Sequence, residues 1–211
     1  MNQETLATAI RNVLDDRDVN YTFDCEDPTV PMIRFKMRIG SRIRYVDVVI
    51  QIRETFYLVY ATSPVGGDPK NIDELAKFVA MVNYNLIVGN FELDVRDGEI
   101  RYKTFVDAAD LESLPESIID RSVFFPLHMF DRFGDGLAAV ALGFSDAASE
   151  MAKDAMRQSD GESGGDDDDD DDDDGNGDGD DDDDLLPFTI DGDDSPGDGD
   201  DDHGDGDDET T

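Results

Sequence analysis

The chain has 211 residues, 54 of them acidic and 17 basic, for a formal net charge of −37. Residues 160–211 hold 28 of the acids and no Lys or Arg, which leaves 26 acids against all 17 bases in residues 1–159. That balance disfavours a nucleic-acid partner, because phosphates need cations to displace their counterions, and the lone Cys25 excludes an intramolecular disulfide framework or a cysteine metal motif.

In chain order, Leu6, Ile10, Val13 and Leu14 form one stripe of an amphipathic helix over residues 3–15. The period then changes to two. Val19, Tyr21, Phe23 and Cys25 alternate with Asn20, Thr22 and Asp24, which predicts a strand over 19–25 with Cys25 packed in the core. Ile33, Phe35, Met37 and Ile39 alternate with Arg34, Lys36 and Arg38 in a second strand. Gly40-Ser41 then suits a two-residue hairpin leading into a third strand from Arg42 to Ile52, and a fourth runs from Thr55 to Ala61. SPVGGDP at 63–69 is a break, after which Ile72, Leu75, Ala76, Val79, Val82 and Leu86 mark a helix ending at Gly89. Two short strands, 90–95 and 99–106, are joined by Asp97-Gly98. Ser113 and Glu116 have the spacing of a capping box for a third helix carrying Ile118, Ile119, Val123, Leu127, Phe130 and Phe133. Gly134 and Gly136 are expected to interrupt it, with a last helix from Leu137 to about Met156.

The expected architecture is α+β, with an antiparallel sheet of five to six strands and the order α-β-β-β-β-α-β-β-α, extended by a further C-terminal helix. Residues 1–157 are close to half apolar and can bury a core. Residues 158–211, rich in Asp and Gly, cannot, and are expected to be a disordered acidic tail. The N-terminal MNQETLATAIRNVLDD lacks a basic leader and a continuous apolar core, and no run of about 18 apolar residues occurs, so a cytoplasmic protein without a membrane partner is expected.

The segment IDELAKFVAMVNYNLIVGNFELDVRDGEIRYKTFVD, with its strand opening at Gly89-Asn90-Phe91-Glu92-Leu93 and its turn at Asp97-Gly98, resembles the YbjN domain family. The resemblance spans most of residues 1–135. That family is similar in fold to the class I chaperones of type III secretion, which have three strands before the middle helix where this chain has four. The resemblance implies a peptide- or protein-binding module linked to sensory regulation or chaperoning, with no catalytic residues to carry over.

Independently, strand four is apolar on both sides. Phe56, Leu58 and Tyr60 lie opposite Tyr57, Val59 and Ala61, and three or four helices would cover one face more readily than two. The uncovered side is expected to hold an extended peptide, a protein partner or a second copy in a homodimer. Arg34, Lys36 and Arg38, with Arg42 and Arg44 beside them, make a local positive patch. It can act as a solvated edge, a site for an acidic partner, or a dock for the chain's own tail.

Catalytic and cofactor chemistry find little support. His128 has Asp131 three residues on, yet no Ser or Cys nucleophile has the expected loop context, and a packed or surface histidine accounts for it. Gly66-Gly67 and Lys70 do not make a phosphate loop. The aspartates from Asp170 to Asp181 imitate a calcium loop without its glutamate or flanking helices, so weak, diffuse cation binding is expected of the tail. Leu185, Leu186, Phe188 and Ile190 form an apolar island in that tail, read as a linear motif for the domain's surface. The runner-up function is an acidic charge mimic whose tail sequesters basic partners. The lysine-poor, acid-rich composition also resembles proteins of very salty cytoplasm, where charge repulsion is screened.

Overall fold

A computed structural model describes residues 1–162 except Pro28, and the side chains up to residue 158. Residues 158–162, expected in the tail, belong to the last helix; residues 163–211, with the motif at Leu185, Leu186, Phe188 and Ile190, lie outside the described residues.

Helix α1 (Gln3–Asp16) begins at Asn2, whose side chain accepts the Thr5 N–H at 2.9 Å, and buries Leu6, Ile10, Val13 and Leu14. Strands β1 (Thr22–Asp24), β2 (Met32–Arg38), β3 (Tyr45–Ile52) and β4 (Phe56–Thr62) follow, then helix α2 (Ile72–Tyr84). Strands β5 (Asn90–Leu93) and β6 (Ile100–Asp107) precede helices α3 (Glu116–Ala141) and α4 (Ala147–Glu162). All strand pairs are antiparallel, and the six form one sheet ordered β1-β2-β3-β4-β6-β5. The expected α+β class and element order are therefore present. No helix among the described residues is long and apolar enough to cross a membrane.

Register sorts the side chains. Phe35, Val48, Ala61, Tyr102 and Phe91 lie in one row across β2, β3, β4, β6 and β5, and all are buried. Ile33, Ile50, Val59 and Thr104 form the next row, also buried. Helices α1 and α3 pack over this face, α2 flanks it beside β5, and α4 packs on α2 and α3. Each fully buried Ile, Leu or Phe here contributes roughly 1.5–3 kcal/mol relative to exposure.

Helix α3 contains Pro126, which has no N–H to give the carbonyl of Ser122 four residues earlier. The buried Thr104 hydroxyl of β6 donates to that carbonyl instead, at 2.7 Å. Beside it the Ser122 hydroxyl donates to the Ile119 carbonyl at 2.9 Å and lies 2.7 Å from the Tyr57 phenol of β4. A break in helical bonding is thus repaired by the sheet, and burial pushes the Tyr57 phenol up to about 12.

Several boundaries differ from the sequence reading. The first strand is only Thr22–Asp24, and Cys25 is exposed beyond it, because the alternation of 19–25 finds a partner only along Met32 to Arg34. There is no tight hairpin at Gly40-Ser41. Residues 39–44 form a wide loop that turns at Arg44 (φ 70), and its Ile39 and Ile43 are buried. Carboxylates of α3 hold that loop: Asp131 accepts the Gly40 N–H and Asp135 accepts the Arg42 N–H at 2.6 Å. Helix α2 ends at Tyr84 with Asn85 as its cap, and Gly89 (φ 70) instead turns the chain into β5. The turn before β6 places only Gly98 at positive φ (78), and the Gly98 N–H reaches back to the Asp94 carbonyl. The Ser113–Glu116 box is not formed, since Pro115 caps α3 without a side-chain bond.

Gly134 and Gly136 do not interrupt α3. A Cβ at Gly134 would lie 2.6 Å from Ser41 Oγ, and one at Gly136 would lie 2.8 Å from Phe78 Cζ, so both permit close approach of neighbours. The helix stops at Gly143 (φ 75), where the Phe144 N–H bonds Ala139 O at 2.8 Å and the Gly143 N–H bonds Val140 O at 3.0 Å. That pair of bonds is the Schellman arrangement.

Candidate functional site

Among the described residues, the second face of the sheet has no helix over it. Its central row is Arg34, Val49, Tyr60 and Lys103, flanked by Met32, Gln51, Leu58 and Phe105 on one side and Lys36, Asp47, Thr62 and Arg101 on the other. None of these side chains is buried. Phe56, Leu58, Tyr60, Val49 and Met32 are half-buried, while Phe105 is 56% exposed and sits 5.4 Å from the Phe56 ring, centroid to centroid. The β4 residues Phe56, Leu58 and Tyr60 therefore lie together on the open face, joined by Phe105 from β6.

Charge borders this apolar band. The Arg101 guanidinium lies 4.6 Å over the Tyr60 ring and bonds Glu92 at 2.8 Å; Lys103 also bonds Glu92. Burial works to raise the Glu92 carboxyl, yet the hydrogen bonds from Lys103 and Arg101 outweigh it and hold the group below its ordinary range. Lys36 lies 4.1 Å over the Tyr45 ring and 3.2 Å from Asp47. Exposed pairs of this kind contribute only about 0–1 kcal/mol, so they order the surface more than they stabilise it. An open groove of about 660 Å³ runs over Asn20, Thr22, Arg34, Lys36, Asp47 and Val49.

Of the predicted basic patch, Arg34, Lys36 and Arg38 share the open face. Arg34 and Arg38 have no carboxylate within ion-pair distance among the described residues. Arg42 and Arg44 do not continue the strand: both lie in the 39–44 loop, where the Arg42 guanidinium is 3.7 Å from Asp135 of α3. The loop geometry, fixed by α3, draws Arg42 away from the other three.

The sheet margins are treated differently. Strand β5 is sealed by Asn83 of α2, whose carboxamide accepts the Phe91 N–H and donates to the Phe91 carbonyl, both at 2.8 Å. One side chain there does what a neighbouring strand would. Strand β6 outlasts β5, whose pairing ends at Asn90 opposite Lys103. The Ile100 carbonyl accepts from Ser63 and the Ala108 N–H donates to Thr55, so even-numbered residues of β6 bond β4 and odd-numbered ones face the other way. The main-chain groups of Phe105 and Asp107 consequently face no strand among the described residues. By the same alternation, Lys36 and Arg38 face outward past the end of β1, and their charged side chains guard that margin.

The residues weighed for chemistry are dispersed. His128 is exposed, and Asp131 is engaged with the loop at Gly40. The Gly67 N–H bonds the Gly98 carbonyl at 2.9 Å, which packs the 66–67 turn against the β5–β6 turn, and Lys70 is exposed. Sequence reasoning missed Phe105, Arg101 and Lys103 as members of the open face. The alternation of Ile100, Tyr102 and Thr104 against Arg101, Lys103 and Phe105 was readable, but the adjacency of β4 and β6 was not.

No family model matches the chain, and no curated protein matches it. Among solved structures it is similar to the crystal structure of YbjN from E. coli, a candidate transcription regulator, at 15% identity over 65% of this chain and 89% of that one, with a TM-score of 0.38.

Proposed function

We propose that this chain is a non-enzymatic protein-binding module, chaperone-like or regulatory, that holds an extended segment of a partner protein against the uncovered side of its sheet. One observation carries the reading: the helices pack on a single face and leave Phe56, Leu58, Tyr60 and Phe105 clustered on the other. An apolar patch rimmed by polar groups is the usual mark of an interaction surface. Arg34, Lys36 and Arg38 lie beside it and would favour a partner with acidic residues flanking its apolar ones.

The test is a photo-crosslinking residue placed at Tyr60 in the full chain, with Ala148, exposed on α4, as the control position. Expected are discrete crosslinked partners from position 60 and none from position 148. Equal yields from both positions overturn the reading.

A second reading rests on the 28 acids of residues 160–211, which would sequester basic partners by charge alone. Deleting residues 160–211 separates the two. Partners held by the acidic residues are then lost, and those held by the open face remain.

A further inference from the structure

We infer that the free margin of β6 at Phe105 and Asp107 takes up an extended peptide as an added strand, with an aliphatic side chain seated between Val106 and α3 and an acidic residue held by Arg121. The inference rests on the protein-binding reading and gives it an address and a ligand chemistry. Beside that margin lies a cavity of about 290 Å³, lined by Val88, Thr104, Val106, Ser117, Ile118 and Arg121. One wall is the 86–89 turn, the other the first turns of α3, and the floor is β6 itself.

The two buried hydroxyls of the cavity are already satisfied. The Thr104 hydroxyl is spent on the Ser122 carbonyl, and its methyl lies 3.0 Å from where a Cβ at Gly89 would sit. The Ser122 hydroxyl is held by Tyr57 and the Ile119 carbonyl. Beside the exposed Ser117, the cavity offers apolar side chains: Val88 is 37% exposed, Ile118 38% and Phe105 56%. Arg121 is exposed and has no carboxylate within ion-pair distance among the described residues. An apolar slot with one free cation selects an aliphatic ligand carrying a carboxylate.

Pleating fixes how such a ligand would lie. A residue opposite Phe105 exchanges main-chain bonds with it and projects onto the open face. Its neighbour opposite Val106 projects into the cavity, whereas the place opposite Thr104 is already taken by Gly89, next to the Asn90–Lys103 pair. The preferred sequence therefore has an aliphatic residue opposite Val106, with Asp or Glu close to it. Added strands of this kind take affinity from the main chain and specificity from the alternate pockets.

The test is selection of displayed random peptides on the intact chain and on its Phe105→Pro variant. Proline at 105 removes the outward N–H and leaves the β4 ladder intact, a position where sheets tolerate it. Thermal melting of each variant checks that it folds. The expected result is peptides that carry an aliphatic residue with an acidic one close by, bind the wild-type chain and lose roughly tenfold or more on Phe105→Pro and on Ile118→Asp. Arg121→Glu should weaken them and shift the preference from acid to Lys or Arg, a reversal that a merely structural role would not produce.

Peptides that bind equally well to Phe105→Pro and Ile118→Asp overturn the inference. If the same peptides fail on Tyr60→Glu, the open face is the grip and the protein-binding reading stands. No enrichment at all on the wild-type chain defeats both. A concentration-dependent dimer that dissociates on Phe105→Pro assigns the margin to a second copy and also overturns the peptide.

Discussion

The bond from Thr104 to the Ser122 carbonyl makes the clearest quantitative prediction. Thr104 is 2% exposed, and its hydroxyl replaces the N–H that Pro126 cannot supply. Thr104→Val keeps the shape and removes the donor, leaving a buried carbonyl unsatisfied at a cost of about 1–3 kcal/mol. In a domain of this size each kcal/mol lowers Tm by roughly 2–4 °C, so a loss of about 2 kcal/mol corresponds to about 4–8 °C. Pro126→Ala returns the missing N–H to the helix, so in that background Thr104→Val should cost about 1 kcal/mol less or better. Urea unfolding of the four chains in the double-mutant cycle, followed by circular dichroism, measures the coupling. An equal cost of Thr104→Val in both backgrounds refutes the claim that β6 repairs the helix at its proline.

Alkaline pH should unfold the domain partly through Tyr57. The unfolded phenol ionises near 10 and the folded one near 12, so stability fully present below pH 10 falls as pH rises towards 12, by about 1.4 kcal/mol per pH unit for each such group. Tyr57→Phe should flatten the decline in unfolding free energy across that window, and an unchanged slope contradicts the burial assigned to it. Gly136→Ala should destabilise by about 1–3 kcal/mol despite the better helix propensity of alanine, because its Cβ meets the buried Phe78 ring; a rise in Tm refutes this. Asn83→Ala should speed hydrogen exchange at the Phe91 amide, and unchanged protection would mean that Asn83 does not seal β5. Raising KCl from about 0.1 to about 3 M should increase Tm by screening the acidic excess, and a flat profile refutes the saline reading of the composition.

The hydrophobic periods of the chain specify its elements well, since two- and 3.6-residue repeats follow directly from burial of one face. Loss of legibility comes where distant residues decide. The 39–44 segment widens because Asp131 and Asp135, some ninety positions away, hold its amides, and no local pattern announces that. Gly134 and Gly136 look like helix breakers in isolation and are spacers for Ser41 and Phe78 in the fold. Of the open face, Phe56, Leu58 and Tyr60 were visible from the two-sided apolar character of β4. The β6 contribution needed the crossover that sets β6 against β4. A signal for the free margin did exist: counting back from the turn at Asp97-Gly98, the earlier strand reaches Gly89 before the later one is exhausted.

The central claim is tested most directly by carbene footprinting of the intact chain, alone and in the extract of its own cells. The account predicts strong labelling of Leu58, Tyr60 and Phe105 in the purified protein and marked protection of those residues in extract, with α4 positions such as Ala148 labelled alike in both. Unchanged labelling of Leu58, Tyr60 and Phe105 in the extract would contradict it.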